Sequence, residues 1–377
     1  MKVAISGYYG YGNVGDEALL AALLDGLGKG GFRPLVLSGD PAATRALHGV
    51  AAANRAVGLV PALLRSQALV SGGGGLLQDR TSARSLAYYL GVIGLARRLG
   101  RRVVVYGQSI GPLSDSGRRK VARALNGVPV AVRDEASQGL LRELGVAAHL
   151  TADPALLLDV TPQETGVPPA LPMELTGDTA VLLPRAGHPD INRALRVLAQ
   201  ELSASNIPAL VVAMQPELDG QPALEVAEGL AGVHAHPAST HAEVLQIVSR
   251  AGIVVSARLH GLILAAAAQR PIVGLSYDPK VAAFMAEVGA PFFREPVDIR
   301  GLLHATAQRE PVDAVKLASL QARARSGIAS LLHWLRGDGE SRAWSPPVPG
   351  ERSCSSSSWQ LFLWQLMLRS CRSRWRT

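Results

Sequence analysis

The chain has 377 residues, which is more than one hydrophobic core usually serves and suits two domains of about 150 residues each. Its 48% hydrophobic content, with 39 glycines and 5% aromatics, is typical of a globular α/β protein with many tight turns. The net charge of +8 does not indicate nucleic-acid binding, because residues 341–377 hold six arginines and one acid and leave only +3 for the remaining 340 residues.

The first half of the chain alternates short apolar segments with longer amphipathic ones. Helices are predicted at residues 16–27 and 85–99. Strands are predicted at residues 3–6, 35–38, 68–71, 103–106 and 128–132. This alternation is typical of βαβ units and therefore of a parallel sheet.

The alternation pauses in a segment rich in Pro, Gly and Thr and then resumes. The second half predicts strands at 180–184, 209–213, 252–256 and 271–276, with helices at 192–203, 242–249, 259–269 and 312–335. We therefore predict an α/β protein of two Rossmann-like domains facing across a cleft, an architecture that resembles GT-B glycosyltransferases. The predicted units are an N-terminal domain (1–165), a linker (166–178), a C-terminal domain with closing helices (179–337) and a tail (338–377).

The tail differs from the rest of the chain in composition. It contains both cysteines, Cys354 and Cys371, and four of the five tryptophans. We predict that it is disordered or atypical, while a basic, aromatic membrane-surface anchor is the alternative. The remainder has no run of about 18 apolar residues and no signal-peptide pattern, so we expect a soluble, cytoplasmic protein.

A glycine-rich junction follows the first predicted strand. The pattern G-x-G-x-x-G begins at Gly10 and matches the dinucleotide fingerprint. However, Asp16 and Glu17 occupy the first turn of the following helix, where carboxylates would repel a pyrophosphate. Asn13, Asp16 and Glu17 are therefore candidates for hydrogen bonds to sugar hydroxyls, with a purely structural helix cap as the alternative.

A second glycine loop, residues 72–75, follows the third predicted strand. Four consecutive glycines allow a ligand to approach the backbone closely, so Gly73 and Gly74 are candidate substrate-binding residues. A structural role is the alternative. No Gly-Lys-Ser/Thr follows, so the segment is not a Walker loop.

Cationic side chains follow three predicted strands. They are Arg133, Lys280 and the pair Arg258 and His260. Ligands of α/β sheets bind beyond the carboxyl ends of the strands, so convergence of these groups would form a pocket for a small, multiply charged anion. Arg258 and His260 are expected to point the same way if their junction is extended. Beside an arginine and an anion, His260 would suit proton transfer.

Each cation also has an ordinary structural interpretation. Arg133 could pair with the adjacent Asp134 or Glu135, His260 could be a structural histidine, and Lys280 could be solvated at the surface. The sequence leaves these alternatives open.

A group of histidines superficially resembles a metal site. His234, His236 and His241 fall in a segment predicted to be a loop, and Glu243 is the one carboxylate at ligand spacing. This set does not match a known zinc-ligand pattern, so no metal site is predicted.

Taken together, the motifs resemble polysaccharide pyruvyl transferases of the CsaB type over roughly residues 1–335. The resemblance rests on GYYGYGNVGDEALL, SGGGGLLQD, GQSIGPL, VRDEAS, SARLHGLILA and SYDPKV, in that order. Each glycine loop alone would be a weak signal, but the combination is specific.

The resemblance implies transfer of pyruvate from phosphoenolpyruvate to a cell-wall polysaccharide precursor, as a ketal on an N-acetylmannosamine unit that anchors surface-layer proteins. It implies that Arg133, His260 and Lys280 are catalytic donor-site residues, with Arg258 a further donor ligand. It also implies that phosphoenolpyruvate binds on the C-terminal side and a lipid-linked acceptor on the N-terminal side. The expected chemistry needs no metal or cofactor, and contact with the inner face of the membrane is a further expectation.

Two other functions are compatible with the pattern. A nucleotide-sugar-dependent GT-B glycosyltransferase would share the two-domain form. A non-catalytic polysaccharide-binding protein would share the glycan ligand, although 5% aromatic residues offers little stacking surface.

Overall fold

The computed structural model describes residues 1–80, 82–160 and 171–337. The whole predicted tail and residues 166–170 of the predicted linker lie outside the described residues. None of the helices in these three ranges is both long and apolar enough to cross a membrane.

Eight parallel strands form the first sheet, within residues 1–160. The strand order is β3-β2-β1-β4-β6-β7-β8, and β5 pairs with β6 beside this path. The elements are β1 (Lys2–Ser6), α1 (Val14–Lys29), β2 (Arg33–Ser38), α2 (Pro41–His48), β3 (Ala51–Asn54), α3 (Leu59–Arg65), β4 (Ala68–Ser71), β5 (Gly74–Leu77), α4 (Ala83–Arg98), β6 (Arg102–Ile110), α5 (Asp115–Leu125), β7 (Val130–Val132), α6 (Glu135–Glu143), β8 (His149–Leu150) and a short 3-10 helix (Pro154–Leu157).

Six parallel strands form the second sheet, in the order β11-β10-β9-β12-β13-β14. The elements are β9 (Ala180–Leu183), α7 (Pro189–Ala204), β10 (Ala209–Ala213), α8 (Pro216–Ala227), β11 (Val233–Pro237), α9 (His241–Arg250), β12 (Ile253–Ser256), α10 (Leu259–Ala267), β13 (Ile272–Ser276), α11 (Pro279–Val288), β14 (Phe292–Arg294), α12 (Ile299–Gln308) and α13 (Ala314–Arg336).

The central strands are apolar along their length because helices cover both faces of each sheet. All residues of β4, β9 and β12 are buried. Side-chain caps then set where the covering helices begin, and Asn13 at the start of α1 is one of them. The parallel arrangement brings every loop that follows a strand to one edge of its sheet, which is where the predicted site residues lie.

Sequence periodicity missed the short and edge strands. β3 and β8 were not predicted, and β5 was taken for part of the glycine loop. The prediction that His234 and His236 lie in a loop is wrong, since both belong to the edge strand β11. An edge strand tolerates polar residues and a terminal Pro237, so its sequence resembles a loop.

The two halves are joined by contacts as well as by the chain. The backbone N–H of Val14, at the start of α1, donates a hydrogen bond to the carbonyl of Met214 at 3.2 Å. Val14 and Ala18 are part of a hydrophobic cluster formed mostly by residues of the second half. The first turn of α1 therefore lies against the C-terminal domain.

Helix α13 crosses back onto the N-terminal domain. Its Leu331 and Leu335 pack in one buried cluster with Val3 and Ile5 of β1. Arg102, at the start of β6, donates to the carbonyl of Leu335 at 2.8 Å. One C-terminal helix thus completes the core under the first sheet.

Candidate active site

Arg133 is the best-fixed cation of the site. It follows β7, is buried, and its Nε donates to Ser109 Oγ at 2.8 Å while its Nη1 donates to Asp153 Oδ2 at 2.5 Å. The structure pairs it with Asp153 rather than with the adjacent Asp134 or Glu135, and Asp134 instead caps α6. The guanidinium is therefore held by Ser109 near the end of β6 and by Asp153 after β8.

His260 meets Arg133 from the other half of the chain. Its Nε2 lies 3.4 Å from Arg133 Nη1 and 3.6 Å from Asp153 Oδ2. Arginine can only donate, so a neutral imidazole accepts from Arg133 through Nε2, whereas a protonated ring faces the Asp153 carboxylate. Each protonation state of His260 thus has a partner, which suits a group that transfers a proton.

Asp153 was not predicted, although it connects the two halves of this site. Burial alone would raise the pKa of its carboxyl, but Arg133 and His260 outweigh burial and lower it from 3.8 to about 2. Its second oxygen accepts from the backbone of Ala155 at 3.0 Å. The sequence signal was an Asp directly before Pro154, a pattern that also occurs at ordinary helix caps.

Lys280 reaches across from the C-terminal domain to the glycine loop. A Cβ at Gly75 would lie 2.6 Å from Lys280 Nζ, so the ammonium lies directly against that backbone. Burial lowers the pKa of Lys280, and the nearby charge of Arg133 lowers it further. Within the described residues, Lys280 Nζ has no ion-pair partner. We call Arg133, Asp153, His260 and Lys280 the cleft cluster.

Asp16 lies beside the cleft cluster at the start of α1. Burial raises the pKa of its carboxyl to about 6, although His260 and Arg133 act in the opposite direction. Asn13 donates from Nδ2 to Asp16 Oδ2 at 2.5 Å and accepts from the backbone of Gly15 at 3.2 Å. Asn13 therefore caps the helix, as the structural alternative proposed, and also orients a carboxylate that lies next to the cations.

The raised pKa of Asp16 predicts how stability changes with pH. Between about pH 4 and 6 the folded chain holds a proton that the unfolded chain has lost, so the free energy of unfolding falls as pH rises through this range. In Asp16→Asn the free energy of unfolding should decrease by about 2–3 kcal/mol less over this pH range than in the wild type. Thermal unfolding from pH 4 to 8 would measure it, with exposed Asp25→Asn on the same helix as the control. Equal pH slopes in the wild type and Asp16→Asn would contradict the prediction.

Glu17 is occupied by contacts within the protein. Its Oε1 accepts from the backbone of Gly10 at 2.8 Å, and its Oε2 lies 2.8 Å from His48 Nε2. The side chain is only 7% exposed. These contacts fix the first glycine loop to α2. Both carboxylate oxygens of Glu17 are used in them, so neither is left free to bind a sugar hydroxyl as predicted.

The two glycines predicted to bind substrate have different surroundings. Gly73 is buried, and a Cβ there would lie 3.2 Å from Gly107 O and from Leu19, so close packing accounts for this glycine. Gly74 has a φ of +104°, and its Cβ would lie 3.0 Å from Asp16 Oδ1. The loop therefore reaches the cleft through Gly74 and its neighbour Gly75.

Arg258 does not join the cleft cluster. Its Nη2 forms an ion pair with the buried Asp219 and lies 3.4 Å from Gln215 Oε1. Arg258 is the extended N-cap of α10, and His260 lies in the first turn of this helix. The expected common direction of the two side chains is not observed, because Arg258 reaches Asp219 whereas His260 reaches Arg133 and Asp153.

Gly15 is a second residue that the sequence did not single out for this role. A Cβ there would lie 2.3 Å from His260 Nδ1, so the imidazole packs directly on the first turn of α1. Gly15→Ala should displace His260 and lower activity at least tenfold, yet keep the fold because alanine favours a helix. Gly28→Ala, in the same helix with open space around it, is the matched control for turnover and thermal unfolding. If both variants keep full activity, this contact does not position His260.

Two histidines of the group that resembled a metal site, His236 and His241, make pairwise contacts. His236 Nε2 lies 2.7 Å from Glu243 Oε1, and the ring of His241 stacks on His48 with centroids 5.5 Å apart. Within residues 1–80, 82–160 and 171–337, no three His, Cys, Asp or Glu side chains are placed to hold a metal ion.

Solved structures with a similar fold include two UDP-GlcNAc 2-epimerases and a glycosyltransferase. The UDP-GlcNAc 2-epimerase of Neisseria meningitidis, bound to UDP-GlcNAc, has a TM-score of 0.62 and 11% identity over 88% of this chain and 100% of its own. That of Methanocaldococcus jannaschii has a TM-score of 0.61 and 12% identity over 89% and 100%. A Rickettsia africae glycosyltransferase has a TM-score of 0.52 and 11% identity over 89% and 96%. At these identities the likeness establishes the fold, and the predicted pair of Rossmann-like domains of GT-B type is confirmed.

The fold places the chain in the GT-B-like class. The sequence profile of polysaccharide pyruvyl transferases matches residues 13–279, which is most of the chain and includes almost all of the cleft cluster. The chain belongs to the polysaccharide pyruvyl transferase family. Among curated proteins, no sequence matches it significantly.

Proposed function

We propose that the protein transfers pyruvate from phosphoenolpyruvate to an N-acetylmannosamine unit of a lipid-linked cell-wall precursor, in the manner of CsaB-type enzymes that prepare surface-layer anchors. The observation that carries this proposal is the convergence of Arg133, His260 and Lys280 from both domains. Family membership supports pyruvylation of a polysaccharide in general. The donor and the acceptor are the specific part of the proposal.

The charge of the cleft cluster matches this donor. Phosphoenolpyruvate carries a phosphate and a carboxylate, so its anionic groups need cations that are already desolvated and fixed. Asp153 neutralises part of the charge of Arg133, but Lys280 has no carboxylate partner in the described part of the chain and its pKa is lowered. Binding of an anion would restore charge balance at Lys280 and raise that pKa again.

The proposed reaction needs one proton donor and two sugar hydroxyls. His260 donates a proton to the methylene carbon of phosphoenolpyruvate, and the adjacent carbon becomes an oxocarbenium-like centre. One hydroxyl adds to this carbon and releases its proton. The second hydroxyl then displaces inorganic phosphate and releases another proton, which completes the ketal. One of the two released protons returns to His260 and the other leaves with phosphate as hydrogen phosphate, while Arg133 and Lys280 stabilise the departing phosphate.

The acceptor is proposed to enter from the N-terminal side of the cleft. Asp16 is the best-placed group for a hydroxyl there, because it lies beside His260 and Arg133 and faces Gly74. With a pKa near 6 it is mostly ionised at neutral pH and can accept a hydrogen bond from a sugar hydroxyl. The lipid carrier would place this step at the inner face of the membrane.

The test is turnover with defined substrates. The protein is incubated with phosphoenolpyruvate and a lipid-linked or synthetic N-acetylmannosamine acceptor, and both pyruvylated product and released phosphate are measured. Equal amounts of product and phosphate are expected. Absence of turnover with every such acceptor would overturn the assignment.

Thermal stabilisation separates this proposal from the two alternatives. A ligand that binds only the folded state raises the melting temperature in proportion to its affinity and concentration. Phosphoenolpyruvate should stabilise the protein, whereas a nucleotide-sugar glycosyltransferase would respond to UDP- or GDP-sugars. A polysaccharide-binding protein would respond to glycan alone and would consume no donor.

A further inference from the structure

Arg185 is a further cation at the carboxyl edge of the C-terminal sheet, and neighbouring side chains fix its backbone. It follows β9, its N–H donates to Asn192 Oδ1 at 3.1 Å, and its carbonyl accepts from Asn192 Nδ2 at 2.9 Å. The next N–H, of Ala186, donates to Asp219 Oδ1 at 3.1 Å. Three hydrogen bonds to side chains therefore set the position from which the arginine side chain extends.

The guanidinium of Arg185, in contrast, is not neutralised. Within the described residues it forms neither a hydrogen bond nor an ion pair, and its Nε is buried without a partner. Its contact is with the ring of Tyr277, whose centroid lies 5.9 Å from Arg185 Cζ. His188 packs on the same ring at 3.9 Å. A buried donor without an acceptor costs free energy, so a fixed cation of this kind is expected where an anionic ligand supplies the acceptor.

Arg258 lies beside Arg185 and shares this imbalance. It is 8% exposed, its Nη2 pairs with Asp219, and its Nε is also buried without a partner. Burial lowers the pKa of Arg258, Asp219 opposes this, and the charge of Arg185 lowers it further. Two neighbouring guanidinium groups therefore have one carboxylate, Asp219, between them.

We propose that Arg185 and Arg258 form a phosphoryl-binding subsite in the C-terminal half of the cleft, separate from the cleft cluster. Guanidinium groups bind phosphate oxygens through paired N–H donors, and both side chains have a donor without a partner. Under the proposed function the phosphoryl group belongs either to the donor, whose phosphate would then contact Arg185 and Arg258 in addition to Arg133 and Lys280, or to a diphosphate that links the acceptor to its lipid. The existence of the subsite does not depend on which of these is correct.

Inorganic phosphate tests the subsite without any transfer reaction. Lys280→Gln serves as the background because it weakens phosphate binding by the cleft cluster. The melting temperature of each variant is measured as a function of phosphate concentration. Phosphate should still stabilise the Lys280→Gln variant. It should also stabilise the control double variant Lys280→Gln, Arg193→Gln, because Arg193 is an exposed arginine of α7. This stabilisation should be lost when Arg185→Gln is added. Equal stabilisation with and without Arg185→Gln, or none in the Lys280→Gln background, would overturn the subsite.

Kinetics then distinguish the two sources of the phosphoryl group. Losing a charge-assisted contact should raise the relevant KM about tenfold to a hundredfold in Arg185→Gln. A higher KM for phosphoenolpyruvate with every acceptor assigns the donor phosphate. A higher KM for the acceptor, confined to acceptors that carry a diphosphate, assigns the lipid linkage. Unchanged KM values for both substrates would overturn the subsite, whereas a wild-type protein without turnover would overturn only the proposed function.

Discussion

Replacing His260 with alanine is expected to lower the rate of pyruvyl transfer by about 10²–10⁴-fold, the usual contribution of a general acid or base. The ring connects the two domains at Arg133 and Asp153 and faces Gly15 through Nδ1. No other described imidazole contacts the cleft cluster. Phosphate release and ketal formation are measured together at saturating phosphoenolpyruvate, so that loss of turnover is not confused with weaker donor binding.

The control for this variant is His304→Ala, because His304 is an exposed histidine on α12. It should leave turnover unchanged. A second comparison separates proton transfer from phosphate binding. If His260 only holds phosphate, His260→Gln should recover much of the rate and change mainly the KM for phosphoenolpyruvate. If His260 transfers the proton, His260→Gln should remain as slow as His260→Ala. Full activity of His260→Ala would remove this residue from the mechanism.

Asp153→Asn is expected to cost about 3–5 kcal/mol of unfolding free energy, the range for removing one partner of a buried ion pair. Asp153 is 4% exposed on its side chain and pairs with Arg133 at 2.5 Å. Asparagine keeps the shape but leaves the Arg133 charge buried without its carboxylate. Chemical denaturation at pH 7 measures the loss, and turnover should fall as well because Arg133 and His260 lose their common partner.

The pH dependence of this loss has a defined sign. The pKa of Asp153 is lowered to about 2 in the folded protein, so its stabilising effect is present above about pH 4 and disappears as pH falls toward 2. Wild type and Asp153→Asn should therefore differ most at neutral pH and converge in acid. Asp178→Asn is the control, since Asp178 is 83% exposed and pairs with Arg309 at 3.3 Å, and it should cost less than about 1 kcal/mol. A similarly small cost for Asp153→Asn would contradict the proposed role of this pair.

Sequence predicted the parts of the site that depend on position along a strand. Arg133 and Lys280 follow strands of parallel sheets, and loops after such strands share one edge, so their approach to the cleft could be anticipated. The carboxylates in the first turn of α1 were likewise predicted from local pattern. These inferences needed only the periodicity of strands and helices.

The partners of these residues could not be read from local pattern. Arg133 and Asp153 are 20 residues apart and meet through the packing of the N-terminal domain. Arg133 and His260 are 127 residues apart, so their contact depends on how the two domains pack. The start of α10 at residue 259 was predicted, but the different partners of Arg258 and His260 depend on tertiary packing that this boundary does not reveal. The mutual fit of Gly15 and His260 also became visible only in three dimensions.

The path of α13 bears on how the chain assembles as it leaves the ribosome. Leu331 and Leu335 cover the apolar side of β1, and Arg102 and Leu335 meet although 233 residues separate them. In a nascent chain, the apolar face of β1 therefore stays partly exposed until nearly all of the two domains have been translated. A chain that terminates upstream of α13 would keep this apolar face exposed. Such a fragment would be prone to aggregation and would be recognised by chaperones and proteases.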